Sequence, residues 1–126
     1  MLNLVVVNSS EEFSLEITYA NRNVEKYFSD YTKMQKKLPL DWVRKIKKHI
    51  DRLKAADTFG VFLSLGLGKP EQLSGYENVT YSLHLSSNVR LIMELKTFKG
   101  KIEECTAIEL KGVNDYHGDK ENWYIG

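Results

Sequence analysis

The chain is short of most things that staple or anchor a protein. Its 126 residues include one cysteine, two prolines and three histidines. With Cys105 alone, an internal disulfide framework and a thiolate zinc cluster are both excluded. The length allows one compact core and leaves no room for a second. Long apolar runs are also missing: residues 4–7 and 61–67 are the most apolar stretches, against the roughly 20 residues that a membrane helix needs. Residues 1–10 carry no basic leader, and their apolar run is too short for a signal peptide. The expectation is a soluble, reduced, cytoplasmic protein with no membrane partner. Disorder is excluded as well, because 42% hydrophobic and 28% charged residues is ordinary globular composition.

Net charge is also nearly absent at +1, but its distribution is uneven. Residues 1–32 hold two basic and five acidic side chains, residues 33–57 nine and three, and residues 58–126 seven and nine. The middle block concentrates the positive charge, in the form of an electrostatic footprint for an anionic partner. The same pattern also describes the solvated face of a helix.

Hydrophobic periodicity supplies the elements. Residues 14–19 alternate, with Leu15, Ile17 and Tyr19 on one face, which predicts a strand. Val24, Phe28, Tyr31, Met34 and Leu38 then recur at helical spacing, with Asn21 or Asn23 available as the N-cap. Pro39 breaks that helix. The next carries Val43, Ile46, Ile50 and Leu53 as its apolar stripe, with Arg44, Lys45, Lys47, Lys48 and Arg52 largely off it. The two helices should pack as a hairpin. Residues 58–70, with Gly60, Gly66, Gly68 and Pro70, read as the least regular part of the chain. Beyond them the period is two. Residues 80–86 and 89–95 form a pair around the turn at Ser86, Ser87 and Asn88, and a long strand over residues 101–111 follows the turn at Lys99 and Gly100. The expected class is α+β, two layers, an antiparallel meander packed on a helical hairpin. Residues 1–13 read as an N-terminal extension, 14–118 as the domain and 119–126 as a tail.

Three places join loop context to useful chemistry: Lys69 and Glu71 where the irregular segment enters the sheet, Arg90 on the polar phase of its strand, and Asp115, Tyr116 and His117 after the last strand. A carboxylate, a guanidinium and an imidazole are the set that cleaves RNA without a metal, because the ribose 2′-OH is an internal nucleophile. Glu71 can accept its proton. Arg90 can fork onto the phosphate oxygens, where charge accumulates. His117 can protonate the departing 5′-oxygen. Lys69 and Lys111 can add phosphate contacts, and Tyr116 can stack on a base. Each residue also has an ordinary role: Glu71 as a surface carboxylate, Arg90 as half of a cross-strand ion pair, His117 as an exposed side chain. His49 and His84 have no second ligand at metal spacing and read as structural. Cys105 reads as a small buried hydrophobe. No cofactor or metal is expected, and no complete phosphate-loop or dinucleotide motif is present.

The order of helical hairpin, Gly68-Lys69-Pro70-Glu71-Gln72-Leu73, a strand with Arg90 in Asn88-Val89-Arg90-Leu91-Ile92, and Asp115-Tyr116-His117 resembles the RelE/ParE toxin superfamily of bacterial type II toxin–antitoxin systems. The nearest branches are HigB-like and YoeB-like, and the resemblance covers roughly residues 14–118. It implies a RelE-like fold and a metal-independent endoribonuclease, an mRNA interferase that cuts mRNA in the ribosomal A site. The implied partners are the ribosome, mRNA and a cognate antitoxin encoded nearby, of helix-turn-helix type. Carried over by position, Glu71 matches the base of YoeB-like toxins, Arg90 the strand arginine of catalytic members, and Asp115, Tyr116 and His117 the terminal Asp-Tyr-His of HigB toxins. The basic helix would then meet ribosomal RNA through Arg44, Lys45, Lys47, Lys48 and Arg52. Two positions depart from HigB: Ser74 stands where a lysine is usual, and Glu71 where a histidine is common. The alternative is a non-catalytic interaction module on the same fold, gyrase-directed or degenerate.

Overall fold

The computed structural model describes residues 14–117 and 120–126, and for Tyr116 and His117 the backbone alone. Residues 1–13, including the stretch 2–7 read as an edge strand or extension, lie outside the described residues. The chain runs β1 (Glu16–Tyr19), α1 (Arg22–Phe28), α2 (Tyr31–Gln35), α3 (Leu40–Ala55), α4 (Phe59–Ser64), β2 (Glu71–Leu73), β3 (Thr80–His84), β4 (Val89–Leu95), a 3-10 turn at Ile102–Glu104, β5 (Ala107–His117) and β6 (Lys120–Ile125). It is an α+β protein with a mixed sheet of six strands and four helices among the described residues.

The expected first helix is two. Asn21 caps α1, its side chain accepting from the amide of Val24 at 2.9 Å. Asp30 then restarts the chain as α2, accepting from the amides of Thr32 and Lys33. A short acidic side chain in extended backbone competes with helix continuation and favours a new N-terminus. The apolar spacing survives the break, because Val24, Phe28, Met34 and Leu38 are all buried. α3 is as expected: Val43, Ile46, Ile50 and Leu53 are buried along one face.

The stretch read as least regular contains α4. Thr58 caps it by accepting from the amide of Val61, and Phe59 and Phe62 occupy one face at i, i+3. Both are fully buried; their rings lie 5.7 Å apart, with Phe59 edge-on to Tyr81 at 4.9 Å.

β2 to β5 form an antiparallel meander, and β1 joins β5 in parallel. Since β4 runs along one edge of β5 from Ile108 to Asp115, β1 and β6 share the other, β1 against Ala107–Leu110 and β6 against Val113–His117. The strand expected over residues 101–111 begins later and ends later, at His117, so Asp115, Tyr116 and His117 are strand rather than loop. The expected tail, residues 119–126, contains β6.

A bulge sets the phase of β5. Ile92 pairs with Gly112 and Met93 with Leu110, which leaves Lys111 as the extra residue. Gly112 has φ 137°, and a Cβ there would lie 2.0 Å from the carbonyl oxygen of Ile125, so only glycine fits. The shift buries Val113 with Ile108 and Leu110 in the main core and turns Asn114 to the opposite face, across from Arg90. That core unites the helical residues with Tyr81, Leu83, Leu85, Leu91, Met93 and Leu95. Ile92 is buried too, but on the other face of the sheet, with Arg90 and Glu94 on either side in phase. The helices therefore cover one face and leave the other for polar chemistry.

Candidate functional site

Register alone assembles the first part of the site. On the face away from the core, Glu71 of β2 stands opposite Ser82 of β3, and His84 of β3 opposite Arg90 of β4, which in turn pairs with Asn114 of β5. Directly opposite side chains have Cβ atoms about 4.5–5.5 Å apart, so four strands deliver one polar cluster. The guanidinium of Arg90 lies 3.8 Å from the carboxylate of Glu71. Lys69, Glu71, Ser82, His84, Ser87 and Arg90 together line a pocket of about 190 Å³.

A second hollow opens on the other side of Arg90. Glu71, Leu73, Ser74, Tyr76, Arg90, Ile92, Asn114 and Glu121 bound about 220 Å³. β6 supplies its wall: Glu121 accepts from the Asn114 side-chain amide at 2.7 Å and from the Tyr76 hydroxyl. Local sequence gives no sign of Tyr76 or of the contribution of the C-terminal segment, because Tyr76 and Glu121 meet across 45 residues of chain.

α3 contributes the third part. Lys45, Lys48 and Arg52 follow one another at i, i+3 and i+7, one stripe of a helix, and they face a cleft of about 400 Å³ closed by His49, Gly68, Lys69 and His84. Among the described residues no carboxylate lines this cleft, and none pairs with these three cations or with Lys69. Lys45 donates to the carbonyl of Leu85 at 2.8 Å, which ties the helix to the end of β3. Lys69 and His84 border both the cleft and the smaller pocket, so the two communicate.

The loop bearing Lys69 is held tightly. Gly68 has φ 79°, and a Cβ on it would meet the His49 ring at 2.8 Å. Lys69 itself has φ 46°, a conformation that costs a non-glycine residue about 1–3 kcal/mol and persists only where the surroundings enforce it. The amide of His84 donates to the carbonyl of Gly68 at 2.9 Å, and the carbonyl of His84 accepts from Nε2 of His49 at 3.0 Å. A carbonyl can only accept, so Nε2 carries the proton and Nδ1, buried with no partner among the described residues, does not. Burial pushes the His49 imidazole below its ordinary pKa; Arg52, His84 and Lys45 push the same way, and the hydrogen bond to His84 opposes them.

That shift has a consequence for stability. The unfolded chain protonates His49 near pH ~6.5, whereas the folded chain resists protonation to lower pH. In between, the unfolded state binds more protons, so stability is intact above about pH 6.5 and falls as pH drops through the folded value. Denaturant unfolding at pH 7.5 and 5.5 should show wild type weakening on acidification, with a smaller loss in His49→Gln. Equal losses in both would show that His49 is not the group responsible.

Not every expected residue reaches this site. His49, read as structural, is buried and bonded to the carbonyl of His84 at the wall of the cleft; His84, read the same way, lies in the cluster. Lys111, expected at a phosphate, is 3.4 Å from both Glu94 and Glu109, and Lys96 meets the same two carboxylates. Burial works to raise the carboxyl of Glu94, but Lys96 and Lys111 outweigh it and hold it below its ordinary value. Lys111, the extra residue of the bulge, thus belongs to a closed ion network and not to the pocket. Asp115 accepts from the Tyr124 hydroxyl at 3.0 Å, which helps fasten β6. On α3, Lys47 pairs with Asp51, and neither Lys47 nor Arg44 borders the cleft. His117 pairs through its backbone with Lys120, and Tyr116 with Glu121; their side chains lie outside the described residues.

Among the described residues no three His, Cys, Asp or Glu side chains gather closely enough to hold a metal ion, and no helix is long and apolar enough to cross a membrane. Compared with protein-family models, curated proteins and solved structures, the chain matches none.

Proposed function

We propose that this protein is the toxin of a type II toxin–antitoxin system, a RelE-like endoribonuclease that cuts mRNA on the ribosome. The observation that carries the reading is the meeting of Glu71 and Arg90 at 3.8 Å, at the end of a cleft lined by cations. The two residues come from strands separated by β3, and the sheet brings them together on the face opposite the helix-covered core. A helical layer over a meander, with β1 parallel to β5, also suits the RelE-like fold that the resemblance implies.

In this reading an RNA strand enters along Lys45, Lys48 and Arg52, and one phosphate seats in the fork of Arg90. Glu71 takes the proton of the adjacent 2′-OH. The O2′–P bond forms and the P–O5′ bond breaks, while Arg90 meets the charge that builds on the phosphoryl oxygens. An imidazole returns a proton to the departing 5′-oxygen, and the resemblance gives this part to His117. The products are a 2′,3′-cyclic phosphate and a 5′-hydroxyl. Tyr76 beside Arg90 offers an aromatic ring to a neighbouring base. The α3 cations contact phosphates irrespective of sequence, which makes binding sensitive to salt. The partner is a cognate antitoxin that covers this basic face or adds a strand at the outer edge of β2, where the described sheet ends.

The test is incubation with purified ribosomes carrying a defined mRNA. Cut mRNA is the expected result. A folded protein that binds ribosomes and leaves the mRNA intact would remove the nuclease and favour a non-catalytic module.

A further inference from the structure

The cleavage reaction needs a proton for its leaving oxygen, and one histidine stands where the phosphate would sit. We infer that His84 is the general acid of this site, the group that protonates the departing 5′-oxygen of a cut RNA strand. The inference rests on the reading of the Glu71–Arg90 pocket as an RNA-cleaving site.

Position is the first argument. His84 is directly opposite Arg90 in the β3–β4 register, so a phosphate seated in the Arg90 fork lies within reach of the imidazole. Both line the same pocket as Glu71, which places a carboxylate, a guanidinium and an imidazole around one small space. His84 also borders the α3 cleft. A strand passing from Lys45, Lys48 and Arg52 to Arg90 therefore runs past the ring.

The second argument is preorganisation. The backbone of His84 is clamped on both sides: its amide donates to Gly68 at 2.9 Å and its carbonyl accepts from His49 at 3.0 Å. α3 and the loop carrying Lys69 thus fix it together, as a proton donor requires. Its surroundings fit the task as well. Burial, then Lys69, Lys45 and Arg90, lower the affinity of the ring for a proton. A bound phosphate offsets those cations, so the ring takes up a proton beside the substrate and gives it up readily. The step then balances: Glu71 gains the 2′-OH proton, O2′–P forms, P–O5′ breaks, and O5′ receives the proton of the His84 imidazolium. Solvent exchange resets both groups.

A sulfur-substituted substrate tests this. An mRNA whose bridging 5′-oxygen at the cut is replaced by sulfur releases a thiolate, which leaves without being protonated. On ribosomes with ordinary mRNA, His84→Gln should slow cleavage at least about 10²-fold, the usual contribution of a positioned acid. On the sulfur substrate the same variant should cut at close to the wild-type rate. Equal deficits on both substrates would overturn the assignment, and so would rescue confined to His117→Ala. Thermal unfolding is followed in parallel, with His84→Asn taking the place of His84→Gln if that variant does not fold. Wild type that cuts neither substrate would bring down the nuclease reading itself. Wild type that cuts both, with no rescue of a folded His84 variant, would bring down the acid alone.

Discussion

Arg90→Ala should reduce mRNA cleavage by about 10²–10³-fold, the usual cost of removing one preorganised donor to a developing oxyanion. Arg90 is the one cation that β4 delivers to the pocket, and its partner Glu71 is the proposed base. The ion pair is partly solvated, with 30% and 60% of the two side chains exposed. Pairs of that kind contribute about 0–1 kcal/mol, so folding should be little changed. Initial rates with purified ribosomes measure the first effect and urea unfolding the second. A loss of rate below about 10-fold, near 1.4 kcal/mol of barrier, would mean that the phosphate is held elsewhere.

Phe59→Ala should cost about 3–5 kcal/mol, the range for removing a fully buried aromatic side chain. Such a loss is a large part of the roughly 5–15 kcal/mol that holds a domain folded. Phe59 is wholly buried, stacked beside Phe62 and edge-on to Tyr81, and its backbone amide donates to Cys105. It thereby pins α4 between the sheet and the 3-10 turn. Val61 on the same helix is 46% exposed, and Val61→Ala should stay within about 0.5 kcal/mol. Similar losses in both variants by urea unfolding would contradict this packing.

α4 also marks a limit of what the sequence reveals. Two glycines and a proline follow it closely, Gly60 lies inside it, and six residues are too few for a periodic signal. Its cap at Thr58 and the i, i+3 pair of phenylalanines were the available cues. α3 was legible because sixteen residues repeat one stripe, and all four expected core positions are buried. The β3–β4 hairpin was legible because alternation and its turn agree.

The later strands were harder, for a physical reason. Pairing of β1 with β5 depends on contacts about 90 residues apart, which local propensity does not encode; β6 folds back on β5 as a hairpin but alternates too weakly to be read as a strand, with one buried residue, Ile125. The bulge at Lys111 then reverses the alternation, so counting from Ile108 assigns Asn114 to the wrong face. Glu71 and Arg90 could be singled out by residue type, but not their meeting across β3. From sequence alone His84 reads as structural, because it sits mid-strand with no metal-ligand spacing. The cue available was its place opposite Arg90 around a short turn, which is where the structure puts it.

The chemistry of the cut ends tests the central claim most directly. Wild-type protein is incubated with purified ribosomes carrying a defined mRNA, and both new ends are characterised, with Glu71→Gln run beside it. Attack by the 2′-OH predicts fragments ending in a 2′,3′-cyclic phosphate and beginning with a 5′-hydroxyl, within the A-site codon, and strongly depleted in the variant. Intact mRNA on ribosomes that have bound the protein, or ends carrying 3′-hydroxyl and 5′-phosphate, would contradict it.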